Sequence, residues 1–110
     1  MAVLIVAQWR VNPGKMQEFL QDAGKATQLG QRHGARVRLL QALFAGPNSN
    51  LVTHVFELDD LAAAAAFIGR TEADQEFQQL YAKTLGAEAP GTLLGVSLVR
   101  DLPTGPPPAR

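Results

Sequence analysis

The sequence predicts an α+β domain built on one four-stranded antiparallel sheet, and three observations carry that prediction. Strand-like and helix-like hydrophobic patterns succeed one another in the order β-α-β-β-α-β. The opening segment, Ala2 to Val11, is apolar on both of its alternating sides over its first half, which marks a central strand covered on two faces. Near the middle of the chain, two strand patterns flank a turn containing glycine and proline, which reads as a β-hairpin.

The elements follow in order. Ala2 to Val11 is rich in β-branched and aromatic residues and stops at the turn Asn12-Pro13-Gly14. Its alternating sets are Val3, Ile5, Ala7, Trp9, Val11 and Ala2, Leu4, Val6, Gln8, Arg10. From Lys15 to His33, the residues Met16, Phe19, Leu20, Ala23 and Thr27 recur at helical spacing, with polar side chains opposite. Gly24 and Gly30 each cost this helix about 1 kcal/mol relative to alanine. Gly34 suits a left-handed stop just past its end.

Ala35 to Ala45 alternates Val37, Leu39 and Leu43 against Arg36, Arg38, Leu40 and Ala42, so it has one apolar and one mixed face. The segment Gly46 to Asn50 turns the chain into a third strand, Leu51 to Leu58, through a loop of about five residues. Asp59 or Asp60 caps a helix from Leu61, whose pattern is interrupted near Gly69-Arg70-Thr71. Thr71 is expected to cap a second helical segment carrying Phe77, Leu80, Tyr81 and Leu85, which Gly86 ends. Thr92 to Leu102 is the last strand.

This order is the ferredoxin-like split arrangement, with strand order 4-1-3-2 and both helices on one face of the sheet. The 110 residues fit one domain at 1–102, followed by a Pro-rich tail at 103–110 too poor in apolar residues to fold alone. Helices cover only one side of the first strand, so a cover is needed for the other. Sheet-on-sheet pairing of two copies into a barrel supplies it, at about 25 cal/mol per Å² of apolar area buried, and predicts a homodimer.

Composition narrows the function classes. Ten basic and ten acidic side chains cancel, with no block of like charge, so neither nucleic acid nor an anionic membrane is an expected partner. The absence of cysteine excludes thiolate metal sites and cysteine nucleophiles and fits a reducing cytoplasm. The apolar run Ala2 to Ala7 is too short for a membrane span and lacks the basic lead of a signal peptide. No phosphate-binding loop, dinucleotide fingerprint, nucleophile elbow or metal-spaced histidine pair occurs. No metal and no cofactor are therefore expected.

Several stretches resemble the dimeric α/β-barrel superfamily of small bacterial proteins, which includes antibiotic-biosynthesis-type monooxygenases, haem-degrading monooxygenases, stress-responsive barrel proteins and NIPSNAP-like proteins. VAQWRVNPGKMQEFL resembles its first strand, turn and helix, THVFELDDLAAAAAFI its third strand and acidic helix start, and EFQQLYAKTLG the late helix of NIPSNAP-like members. The resemblance implies a pocket between sheet and helices. Where haem-degrading members carry asparagine, tryptophan and an iron-binding histidine, the matching places here are Ala7, Leu58 and the run Ala62 to Ala66. Haem degradation is not expected.

Alternation with Val52, Phe56 and Leu58 points His54 into that layer between sheet and helices, where desolvation would keep it neutral and available as a base near pH 7. A structural histidine bonded to a backbone or hydroxyl group would occupy the same place. Tyr81 is the candidate donor beside it, and the two form the candidate catalytic pair. Trp9, Phe56 and Phe77 are the candidate ligand-binding residues, Trp9 by stacking on a flat molecule. On the opposite face, Gln8, Arg10, Arg36 and Arg38 are expected at the barrel rim, pairing with Glu57 or holding an anion in the lumen. His33, at a helix C-terminus, suits the helix dipole without a functional role.

Together with the resemblance, these residues imply a small-molecule-binding dimeric barrel. Its chemistry would be a cofactor-independent oxygenation, isomerisation or cyclisation of an aromatic or polyketide-like compound. The alternative is a non-enzymatic structural or stress-related dimer with no functional pocket, and a cavity of roughly 300 Å³ or more would separate the two.

Overall fold

The structure, a computed structural model, describes residues 2–43, 50–102 and Gly105. The expected turn at 46–50 falls outside the described residues except for Asn50, and the expected tail at 103–110 does so except for Gly105. Seven elements follow one another: β1 (Val3–Val11), α1 (Met16–Arg32), β2 (Arg36–Gln41), β3 (Leu51–Leu58), α2 (Leu61–Ala73), α3 (Gln75–Thr84) and β4 (Gly91–Arg100). The four strands form one sheet in the order β2-β3-β1-β4, all neighbours antiparallel, which is the ferredoxin-like order the sequence predicts read from the other edge.

Register explains which residues face the helices. Opposite one another on that side lie Trp9 and Val52, Ala7 and His54, Ile5 and Phe56, and Val3 and Leu58. Two separate core clusters form there. Val3, Ala35, Phe56, Leu58, Ala64 and Phe67 pack together under α2. Ala7, Trp9, Val11, Phe19, Ala23 and Val52 pack together under α1, with the Trp9 and Phe19 rings edge to face at 5.8 Å.

α1 stops where expected: His33 is its C-cap and Gly34 takes φ +99°, a left-handed conformation that glycine adopts without strain. Asp60 caps α2, its carboxylate accepting from the Ala63 amide at 2.7 Å. β2 is shorter than expected. It ends at Gln41, one further backbone bond joins the Ala42 amide to the Leu51 carbonyl, and Leu43 stands exposed instead of joining the apolar face.

The helical break is displaced from its expected place. α2 runs through Gly69 and Thr71 because its buried stripe Ala64, Phe67 and Thr71 continues unbroken, and the Thr71 hydroxyl donates back to the Ile68 carbonyl at 3.0 Å. Asp74, not Thr71, is the cap of α3. Its backbone is extended, and one carboxylate oxygen accepts from the Glu76 and Phe77 amides at 3.0 and 3.3 Å. The other oxygen receives the Arg32 guanidinium at 2.8 Å and meets the His33 ring at 2.6 Å, so Asp74 fastens α3 to the end of α1. His33 therefore serves as more than a partner for the helix dipole. These contacts, His33 first, hold the Asp74 carboxyl well below its usual range.

On the sheet face away from the helices, Arg36 and Arg38 both reach Glu57, at 2.9 and 3.1 Å, and Arg36 also meets Asp59 at 3.0 Å. This is the pairing expected for the rim charges. The same face carries Leu4 and Val6 from β1, with Val99 in register with Leu4 and Val55 in register with Val6. Among the described residues, no helix is long and apolar enough to cross a membrane.

Candidate functional site

The two core clusters do not meet, and the wedge between them, roofed by α3, is a cavity of about 450 Å³. β1 and β3 supply its floor. α2 and α3 supply Phe67, Ile68, Phe77, Leu80 and Tyr81, and Val96 of β4 closes one side. α3 has no buried residue of its own, so its apolar side chains spend their contact on this space. All five residues singled out from the sequence, Trp9, His54, Phe56, Phe77 and Tyr81, stand on its wall.

His54 is 4 % exposed and its ring lies 4.5 Å from that of Phe56. Its Nε2 is 3.0 Å from the Thr27 hydroxyl, and that hydroxyl gives its own proton to the Ala23 carbonyl at 2.9 Å. The hydroxyl can therefore only accept from His54, which assigns the proton to Nε2 and leaves Nδ1 as a lone-pair acceptor. Among the described residues Nδ1 has no hydrogen-bond partner, and the one side-chain polar atom both sealed and unpartnered is Oδ2 of Asp22. Nδ1 is thus open to the cavity. Burial pushes the imidazole pKa down to about 4, so the ring is neutral at physiological pH.

The remaining candidates differ in character. Trp9, 8 % exposed, is at once core filling against Phe19 and cavity wall. Tyr81 is 41 % exposed at the rim, where α3 meets solvent. Thr27, which orients the histidine, reads in the sequence as one more small residue in an apolar helical stripe. Thr71, another wall residue, hides in the same way in the stripe of α2. A hydroxyl inside an otherwise apolar helical face is the signal that identifies both. Gln78, Glu72 and Thr84 complete the polar part of the wall. Among the described residues there is no cluster of histidine and carboxylate side chains able to hold a metal ion.

A two-layer α+β domain with a cavity between its layers and a single buried histidine on the wall defines the class. A family model of NIPSNAP matches residues 5–89, and the chain belongs to the NIPSNAP family. Comparison with curated proteins found no match. Among solved structures, an uncharacterised NIPSNAP domain protein from Burkholderia xenovorans is 22% identical with a TM-score of 0.69, covering 97% of this chain and 100% of its own. A NIPSNAP family protein from Agrobacterium tumefaciens is 19% identical with a TM-score of 0.69, and both chains are covered in full, 100% and 100%. A candidate antibiotic biosynthesis monooxygenase from Bordetella bronchiseptica is 19% identical with a TM-score of 0.62, covering 92% of this chain and 97% of its own. At these identities the likeness is one of fold.

Proposed function

We propose that this chain binds a flat, largely apolar small molecule in the cavity between sheet and helices. One observation carries the reading: a desolvated histidine on the cavity wall has one nitrogen fixed by Thr27 and the other unpartnered. An acceptor that the fold leaves unpartnered and open on a cavity wall is free to meet a ligand's donor, and a volume of about 450 Å³ falls within the range of small-molecule sites. The open space speaks against the alternative of a purely structural dimer with a filled interior.

The enzymatic extension is a cofactor-independent oxygenation, isomerisation or cyclisation of an aromatic or polyketide-like compound. The resemblance to antibiotic-biosynthesis-type monooxygenases motivates it. In this reading His54 takes a proton next to a carbonyl and the Tyr81 phenol donates to the oxygen that becomes anionic. A ring with pKa about 4 is ready to accept a proton at pH 7 but holds it weakly. The step therefore needs the developing oxyanion close enough to stabilise the imidazolium.

Trp9 is the sole tryptophan and lines the cavity, so its emission reports occupancy directly. Flat aromatic compounds should quench it saturably and raise the melting temperature. Val96→Trp, at a half-exposed wall position, should weaken that binding by about tenfold or more while the fold persists. Absence of binding across a panel of such compounds overturns the reading.

The proposal includes a homodimer formed through the sheet face that the helices leave bare. Leu4, Val6, Leu40 and Val99 lie on that face, Leu40 at 50 % and Val99 at 41 % exposure. Sedimentation velocity at micromolar concentration should show a particle of two chains, reduced to one chain by Val6→Lys. A single-chain particle for the unaltered protein would count against it.

A further inference from the structure

We propose that the cavity is a cation-free site with an acceptor at His54 and a carboxylate at Glu72, selecting aromatic ligands whose polar groups donate, hydroxyls or amines, and turning away carboxylates and phosphates of the same shape. This rests on the reading of the cavity as a ligand site and specifies its chemistry.

The first support is a census of hydrogen-bond donors on the wall. The Thr71 hydroxyl donates to the Ile68 carbonyl at 3.0 Å, and the Thr84 hydroxyl donates to the Tyr81 carbonyl at 2.8 Å. The Gln78 amide donates to the Thr71 carbonyl at 3.0 Å. The two threonine hydroxyls turn their protons back onto their own helices, and the Gln78 amide of α3 spends one of its two protons on α2. The hydroxyls leave lone pairs toward the cavity, and the donors that remain on the wall, the Tyr81 phenol and the Trp9 indole, are neutral. The deepest polar group, His54, adds another lone pair at Nδ1, because its ring proton is committed to Thr27.

The second support is charge. Among the described residues no lysine or arginine lines the cavity, and Glu72 is the only wall residue with a formal charge. Glu72 takes part in no ion pair among the described residues. Arg32 is committed to Asp74 and Glu76, Arg36 and Arg38 to Glu57, and Lys83 to Asp22, none of them on the wall. A buried anion needs a cation to replace its water at full strength, and among the described residues this wall offers none and sets the Glu72 carboxylate against it. A ligand amine would find the Glu72 carboxylate, and a ligand hydroxyl would find Nδ1.

The test uses four probes of one shape, naphthalene, a naphthol, a naphthylmethylamine and a naphthoate, titrated into the full chain at neutral pH with Trp9 emission and calorimetry as readouts. The naphthol and the amine should each bind about tenfold more tightly than naphthalene, the naphthoate about tenfold more weakly. His54→Leu should abolish the advantage of the naphthol over naphthalene and leave naphthalene binding in place. Glu72→Gln, on the exposed side of α2, should remove the advantage of the amine and leave the naphthol untouched, so it remains informative even where the His54 variant folds poorly. A naphthoate that binds as tightly as the naphthol, or a naphthol no better than naphthalene, overturns the selectivity while the site itself stands. Failure of all four probes to bind removes the site and the selectivity together.

Discussion

Burial makes His54 a sensor of acid as well as a neutral acceptor. Its ring titrates near pH 4 in the folded chain and near 6.5 when unfolded. Between those values the unfolded state binds more protons than the native state, so stability is fully present above about pH 6.5 and falls as pH drops toward 4. The loss over that window is about 3 kcal/mol. Asp74 and Glu57, both held below their usual range by His33, Arg32, Arg38 and Arg36, lose their contribution in a lower window, as pH falls below about 4.5. Urea unfolding measured from pH 8 to 4 should therefore show a slope that His54→Leu flattens above pH 4.5, and an equally steep slope in the variant would contradict the desolvated ring. His54 is legible in the sequence because strand alternation fixes its face. Its partner Thr27 is not, because a threonine in an apolar stripe carries no sign of the hydrogen bond it makes.

At the level of elements, two glycines of α1 that look alike in the sequence differ in structure. A Cβ at Gly24 meets nothing within 4 Å, whereas one at Gly30 would lie 2.8 and 2.9 Å from ring carbons of Phe56. Gly24→Ala should raise stability by about 1 kcal/mol through helix propensity alone. Gly30→Ala should lose about 1–3 kcal/mol, because Phe56 is buried in the core and cannot move aside. Thermal unfolding of the two variants checks this, and stabilisation by both would show that the helix does not approach the sheet as closely as described. Helical periodicity and the hairpin's strand patterns located α1 and β3 well. The break between α2 and α3 was misplaced because Gly69 and Thr71 look like punctuation locally. The deciding facts are tertiary: Thr71 is buried against the layer below, and Asp74 is held by Arg32 and His33 from α1.

For the molecule as a whole, one sheet serves two surfaces. Its helix side closes over two core clusters that α3 bridges without filling, and this leaves the cavity. Its other side carries the apolar strip of Leu4, Val6 and Val99, which the alternation of β1 announced and which the homodimer reading assigns to a second copy. The strand order was readable from the succession of patterns. The cavity was not readable in size, since volume depends on how far α3 stands from the sheet. Nitrogen NMR of the His54 ring at pH 7, with and without a ligand that quenches Trp9, decides whether the ring is the neutral acceptor of the cavity. A neutral ring protonated at Nε2, with an Nδ1 resonance that shifts as the ligand saturates, is expected. An imidazolium, the opposite tautomer, or an Nδ1 resonance indifferent to the ligand would contradict it.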